Sequence, residues 1–289
     1  MGGTDRRLPL PPEPAWPTAA EARLDNGLEV RVLPLPHVHA AAVGLYGRIG
    51  SRYESAADSG LSHLVEHMLF RGCAGYPDAY ALNSALETLS SGLSAATWRD
   101  MTSYEASCRP EAVPALLALM GQMFSHPTFP DLEVERRIIL EELKDEVDSG
   151  GRDVSPDNVA AAALFPNSSL GFKIGGPARR VAGFTEADCA RWFAHAYGAR
   201  NLVLGVAGPV DPQATLAAAR AAFGGLPPGM PLALPPATPR KDLPAFEFVR
   251  QSGSQSTLQV AWPLPAESDG DWPALYLAHR LLDDGTCAR

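Results

Sequence analysis

Five residues with the sequence His63-Leu64-Val65-Glu66-His67 carry two imidazoles and one carboxylate within little more than a helical turn. In an α-helix, positions i and i+4 lie on the same face, so both histidines can bind one ion. Leucine, valine and methionine side chains around them fall on the opposite face, which predicts a helix over about 59–71 that buries one side. Asp58 or Ser59 is expected to cap its start.

A single histidine is usually an ordinary surface or core residue, and short patterns also arise by chance. Two histidines and a glutamate on one face of an amphipathic helix are harder to explain in that way. The order H-x-x-E-H is the reverse of the commoner H-E-x-x-H of zinc-dependent peptidases. The pattern therefore predicts a metal site on this helix.

Composition and charge restrict the classes of partner. The chain has 289 residues and a net charge of −9, which argues against nucleic acid because phosphate binding needs clustered Lys and Arg. No segment approaches the length of a membrane span. Residues 1–17 are polar and proline-rich and lack the apolar stretch of a signal peptide, so we expect a cytoplasmic protein. The four cysteines are far apart in sequence, which favours isolated reduced thiols.

Apolar periodicity predicts an α+β fold, in which helices cover one side of a sheet. Predicted strands lie at 28–33, 40–49, 93–98, 104–108 and 201–206, and predicted helices at 59–71, 79–90, 110–124, 131–148, 158–164, 185–197 and 211–223. The strand at 93–98 is expected at an edge of the sheet.

The chain divides into four predicted regions. We expect a disordered leader at 1–20, a metal-binding domain at 21–223 and a proline-rich linker at 224–245. Residues 246–289 then repeat the strand, strand and helix order of the first domain, with strands at 246–249 and 256–262 and a helix at 272–282. This order predicts a second, incomplete copy of the same kind of domain.

A catalytic zinc site needs a third protein ligand and an open position for water. The charged helix predicted at 131–148 is the expected donor. Its spacing puts Glu135, Glu142 and Glu146 near one face, whereas Glu141 points about 100° away, towards solvent. An ordinary solvated helix with Glu–Lys pairs explains the same charges equally well. Spacing alone leaves the three candidate ligands open.

Taken together, these segments resemble the family of zinc metallopeptidases that includes pitrilysin, insulin-degrading enzyme and mitochondrial processing peptidase. The resemblance begins near residue 24 and covers nearly the whole chain. It is carried by residues 60–72 (GLSHLVEHMLFRG), by 135–142 (ERRIILEE), which match E-R-x-x-x-x-x-E, and by 197–204 (YGARNLVL). It implies that each half of such a protein is an α+β domain and that two halves close around an extended peptide.

The resemblance also implies a role for each matching residue. His63, His67 and Glu142 would bind Zn²⁺, Glu135 would support a ligand by hydrogen bonding, and Glu66 would be the general base. Glu146 remains an alternative for the supporting role. Residues 92–97 (GLSAAT) resemble the G-x-x-N-A-x-T edge strand on which the substrate adds as a further strand. That implies substrate-binding roles for Ser94, Ala95 and Thr97, with Ser94 at the asparagine position.

These residues predict a zinc-dependent endopeptidase that cleaves peptides or unfolded polypeptide segments with a metal-activated water. Residues 281–289 resemble the start of the family's second half, whose R-x-x-Y element would lie beyond residue 289. We therefore expect a second half-domain or a partner subunit to complete the site. The alternative is a non-catalytic or partner-dependent subunit that holds a metal and binds peptides.

Overall fold

The computed structural model describes residues 17–242, 245–250 and 256–282. Its centre is a sheet with the strand order β1-β2-β6-β3-β5-β4. Strands β2 and β6 are parallel, and the other neighbouring strands are antiparallel. The strands are β1 (Ala20–Arg23), β2 (Glu29–Pro34), β3 (Ala41–Gly47), β4 (Ser94–Thr97), β5 (Thr102–Cys108) and β6 (Leu202–Gly208).

Helices cover one face of this sheet. Side chains alternate along each strand, so every second residue points towards that covered face. In β2, for example, Val30 and Val32 are buried in the core whereas Arg31 between them is exposed. The predicted α+β architecture is confirmed. The helices are α1 (Leu61–Met68), α2 (Ala79–Leu89), α3 (Val113–Ser125), α4 (Leu132–Glu142), α5 (Pro156–Leu164), α6 (Ala178–Val181), α7 (Glu186–Ala196), α8 (Pro212–Phe223) and α9 (Trp272–Leu282). Within the described ranges, no helix is long and apolar enough to cross a membrane.

Two predicted strands near the end of the chain are wrong. The described parts of 246–249 and 256–262 contain no strand, and Phe246 and Phe248 are 92% and 90% exposed. Their alternating sequence satisfies the pattern of a strand, but a strand also needs a neighbour to accept its backbone hydrogen bonds. The helix predicted at 272–282 is confirmed as α9.

The helix predicted at 131–148 is wrong in its last part. Helix α4 ends at Glu142, and a short 3-10 helix follows over Leu143–Glu146. Beyond it the chain turns back, because Val154 N donates to the carbonyl of Glu146 at 2.8 Å. The Glu146 carboxylate contacts the ammonium of Lys173 at 3.1 Å. The backbone carbonyl and the carboxylate of Glu146 thus bind residues that lie outside the predicted helix.

The ends of the first domain also differ from expectation. Strand β1 begins at Ala20, the last residue of the predicted leader, although no strand is predicted before residue 28. Residues 1–16 lie outside the described ranges. In the predicted linker, residues 224–242 contain no helix or strand beyond the end of α8. Part of this segment is nevertheless fixed, since Ala199 N and Arg200 N donate to the carbonyls of Pro227 and Pro228.

Candidate metal centre

Helix α1 presents its two faces as the sequence predicts. Leu61, Leu64, Val65 and Met68 have no exposed surface, whereas His63 and His67 lie at a partly exposed face. The predicted cap is wrong. The residue before the helix is Gly60, in the left-handed conformation with φ 102°, and no side chain of the capping position binds the helix. Instead, the carboxylate of Glu54 accepts hydrogen bonds from Gly60 N at 2.9 Å and Ser62 N at 2.7 Å.

Three donor atoms from two helices meet at the exposed face of α1. The Nε2 atoms of His63 and His67 are 3.2 Å apart. An oxygen of Glu142, at the end of α4, lies 3.9 Å from each of them. These three residues form a group able to hold one metal ion among the described residues. Of the three carboxylates that spacing left open, Glu142 faces the histidines.

The donor set fits zinc. Two nitrogens bound to one tetrahedral zinc at about 2.05 Å are roughly 3.3 Å apart, close to the 3.2 Å between the histidine Nε2 atoms. The same geometry asks the Glu142 oxygen to move closer by about half an ångström. Its side chain is 50% exposed and therefore has room to adjust.

The other carboxylates of the 131–148 segment have different surroundings. Glu135 is buried, and its Oε2 lies 3.0 Å from His67 Nδ1. This contact places the proton of His67 on Nδ1 and leaves the lone pair of Nε2 free for a ligand. Glu141 is exposed and pairs with Lys144, as the spacing predicts. Glu146 pairs with Lys173 and accepts from Asn158, so it does not support the histidines.

The two histidines differ in their ionisation. Burial and, to a smaller extent, the nearby charge of His67 lower the pKa of His63 to about 4, so His63 is neutral at pH 7 and able to bind a cation. For His67, burial lowers the pKa, but the hydrogen bond to Glu135 and the charges of Glu66 and Glu142 outweigh it and raise the pKa. The site thus has the negative surroundings that favour a cation.

Glu66 lies beside these donors but is held by a different element. Its Oε2 accepts a hydrogen bond from the hydroxyl of Thr97, in β4, at 2.6 Å. Burial raises the pKa of Glu66, and the Thr97 hydroxyl partly offsets this. Within the described ranges, Oε1 of Glu66 has no hydrogen-bond partner. The second oxygen is therefore available to a water or substrate.

Strand β4 is an edge of the sheet, as the sequence predicts. It pairs with β5 on one side, and none of the described strands pairs with its other side. Ser94 is exposed, and its hydroxyl donates to the carbonyl of Glu105 on β5 at 3.1 Å. Ala95 packs against the core, and Thr97 turns towards Glu66. The backbone edge, more than these three side chains, is open to another strand.

Sequence reasoning missed the roles of two polar groups around the site and one contact between residues that it had named. Arg71 connects Glu135 to Asp131, with distances of 3.4 Å and 2.7 Å. Glu54 lies seven residues before the helix and has no fixed sequence relation to a helix start, so no capping rule identifies it. The contact between Thr97 and Glu66 joins residues 31 apart and depends on tertiary packing. The charge of Arg71, one turn after His67, was the one available signal.

Comparison with known proteins agrees with this geometry. The profile described as "Insulinase (Peptidase family M16)" matches residues 32–178, and the one described as "Peptidase M16 inactive domain" matches residues 183–289. The chain belongs to this family, peptidase family M16.

Relatives of the chain include a subunit of a mitochondrial-processing peptidase and an uncharacterized zinc protease. The chain is 32% identical to the mitochondrial-processing peptidase subunit beta of Blastocladiella emersonii, over 74% of this chain and 46% of that protein. It is 29% identical to an uncharacterized zinc protease of Mycobacterium tuberculosis, over 96% of this chain and 64% of that protein. The chain thus spans between 46% and 64% of the length of these two relatives.

Solved structures agree with the fold. The peptidase M16 inactive domain of Pseudomonas fluorescens superposes with a TM-score of 0.73 at 19% identity. The match covers 93% of this chain and 65% of that structure. At this identity the likeness supports the fold alone, and the chemistry must be argued from the site.

Proposed function

We propose that this chain carries the metal-binding half of a zinc-dependent endopeptidase that acts on peptides or unfolded polypeptide segments. The observation that supports this most is the convergence of His63, His67 and Glu142, with the carboxylate of Glu66 held beside them. When bound by these three residues, zinc would supply a Lewis acid that polarises a water molecule and the carbonyl of the scissile peptide bond.

Glu66 acts as the general base. Oε1 takes a proton from the attacking water and later gives it to the nitrogen of the leaving amine. The raised pKa of Glu66 suits the first step, because a carboxylate with a higher pKa accepts a proton more readily. Thr97 holds Oε2 and so fixes the direction of the carboxylate.

Glu135 keeps His67 in the orientation and the tautomer that leave Nε2 for the metal. The substrate binds as a further strand along the open edge of β4, near Ser94 and Ala95. Strand addition reads the backbone of the substrate, which favours extended or unfolded segments. Because β4 ends at Thr97, the added strand reaches the carboxylate of Glu66.

Completion of the site requires a second half-domain or a partner subunit. Both relatives described above are longer than this chain, and the solved structures that superpose on it include the first half of the periplasmic protease PqqL of Escherichia coli. The partner would cover the substrate on the side opposite to β4. Exclusion of water strengthens the electrostatic interactions within such a site.

The test is the substitution Glu66→Gln, with Glu141→Gln as a matched control on an exposed residue of α4. We expect Glu66→Gln to retain one equivalent of zinc and to lose hydrolysis of a quenched peptide, because the amide cannot accept the proton. Glu141→Gln should keep both properties, and a chelator should abolish the activity of the unmodified chain, with each protein assayed together with the half-domain or subunit that completes the site. Retained turnover in Glu66→Gln would contradict the general-base role.

A second candidate function is a subunit that holds metal and binds peptides without cleaving them. The open edge of β4 favours it, because strand addition needs no catalytic group. Zinc binding together with saturable peptide binding, but without cleavage even in the presence of a second half-domain or partner subunit, would support this function over the peptidase.

A further inference from the structure

We infer that Glu54 is the positioning residue of the metal-binding helix: its carboxylate, from outside α1, fixes the first turn that carries His63 and Glu66. This inference deepens the proposed function and rests on it for the identity of the metal site. Glu54 is 4% exposed and lies in the turn that follows the 3-10 helix Ser51–Tyr53.

The first turn of any helix has amide groups that find no partner within the helix. In α1, Gly60 stands where a Ser, Thr, Asp or Asn side chain usually accepts one of these amides. Glu54 replaces that side chain with both of its oxygens. Oε2 accepts from Gly60 N at 2.9 Å, and Oε1 accepts from Ser62 N at 2.7 Å. Ser62 directly precedes the ligand His63.

Gly60 cannot be replaced by an ordinary capping residue, because the opposite side of the turn is filled by backbone. A Cβ on Gly60 would lie 2.8 Å from the carbonyl oxygen of Gly175, and φ at Gly60 is 102°. Gly175 in turn lies against the ring of His63, since its Cβ would be 3.6 Å from Nδ1. The start of α1 is therefore held on one side by a glycine loop and on the other by Glu54.

Both hydrogen bonds require the ionised carboxylate. A protonated carboxyl carries an O–H donor, and the side-chain amide of glutamine carries an N–H donor. Either would place a donor opposite the backbone N–H of Gly60 or Ser62, which is itself a donor. Burial raises the pKa of Glu54 to about 7, against the lowering effect of the hydrogen bonds from Ser62 and Gly60. Asp58, whose negative charge contributes to this raised pKa, forms its own pair with Arg191 at 2.7 Å.

The experiment compares Glu54→Gln with Asp58→Asn. The control removes a carboxylate from the same segment by the same change, but the side chain of Asp58 contacts the side chains of Ser55 and Arg191 and accepts no hydrogen bond from an amide of α1. We expect Glu54→Gln to weaken zinc binding about tenfold or more, from the loss of one hydrogen bond and the new donor–donor contact. The zinc dissociation constant is measured by competition with a chelator.

Two further readouts separate positioning from general destabilisation. Amide hydrogen exchange at Gly60 and Ser62 should accelerate in Glu54→Gln, while exchange in the sheet stays unchanged. In zinc-saturated enzyme, kcat should fall about tenfold with KM unchanged, because Glu54 orients the reacting groups without touching the substrate. If the unmodified chain has no peptidase activity when assayed with the half-domain or subunit that completes its site, the proposed function fails, but zinc affinity and amide exchange still decide the role of Glu54.

Unchanged zinc affinity and unchanged exchange in Glu54→Gln would overturn the inference, as would an equal loss in Asp58→Asn. If Glu54→Gln does not fold, the unmodified protein provides the test by NMR. The amide resonances of Gly60 and Ser62 should titrate together with a midpoint near pH 7, which follows the pKa of about 7 for Glu54. Amides of Gly60 and Ser62 that do not shift together at any pH at which the protein stays folded would overturn the inference in that case.

Discussion

Replacement of Glu135 by alanine should weaken zinc binding although this residue does not touch the metal. Glu135 accepts the Nδ1 proton of His67 at 3.0 Å, and its side chain is only 10% exposed. Its other oxygen is 3.4 Å from Arg71, which also pairs with Asp131 at 2.7 Å. Arg71 therefore keeps a partner in the variant, whereas His67 Nδ1 loses the one it has.

The size of the effect follows from that single contact. A hydrogen bond to a charged group contributes about 1.5–3 kcal/mol, and burial of Glu135 leaves little solvent screening to reduce it. If this contribution appears mainly in metal binding, the dissociation constant for zinc rises roughly 10- to 150-fold. Loss of such outer partners of metal-binding histidines typically costs about 10- to 100-fold in affinity.

The assay is competition for zinc with a chelator of known affinity at constant pH. The matched control is Glu141→Ala, which removes a carboxylate from the same helix, where it is 71% exposed and paired with Lys144. We expect the control to bind zinc within about twofold of the unmodified chain. If Glu135→Ala also stays within twofold, the argument that Glu135 prepares His67 for the metal is refuted.

Two further predictions test other contacts around the site. Thr97→Val removes the hydroxyl that partly lowers the pKa of Glu66, so we expect that pKa to rise further. The acid limb of the pH profile of kcat/KM should then move to higher pH. An unchanged acid limb would count against the contact between Thr97 and Glu66. Gly176→Ala should lower the free energy of unfolding in urea by about 1–3 kcal/mol, because φ is 72° and the new Cβ would lie 2.4 Å from the carbonyl oxygen of Ser59. Gly225→Ala, whose Cβ meets nothing within 4 Å, should change it by less than about 0.5 kcal/mol, and equal effects would disprove the close packing.

The local part of the site could be predicted from sequence because helical geometry is regular. Spacing alone put His63, Glu66 and His67 on one side of α1, opposite to the apolar side that the structure buries. The same regularity separated Glu141, which pairs with Lys144, from Glu142, which faces the histidines. Helical spacing could not decide which of Glu135, Glu142 and Glu146 is the third metal ligand, because that depends on how α4 packs against α1.

The predictions of secondary structure and capping are wrong where the outcome depends on a contact with a distant segment of the chain, which a local sequence pattern does not contain. Phe246 and Phe248 alternate as in a strand, yet the described residues offer them no neighbouring strand. Helix α4 ends at Glu142, and Glu146 beyond it contacts Lys173, a partner that the pattern of 131–148 does not contain. Glu54 was missed for the same reason, since its two hydrogen bonds reach forward across a turn to Gly60 and Ser62.

The central claim is that His63, His67 and Glu142 bind one zinc ion, and anomalous diffraction at the zinc edge tests it most directly. Crystals of the zinc-loaded chain should show one anomalous peak about 2.0–2.2 Å from Nε2 of both histidines and from a carboxylate oxygen of Glu142. A peak bound by Glu141 or Glu135 in place of Glu142, or no peak between the two histidines, would contradict the account.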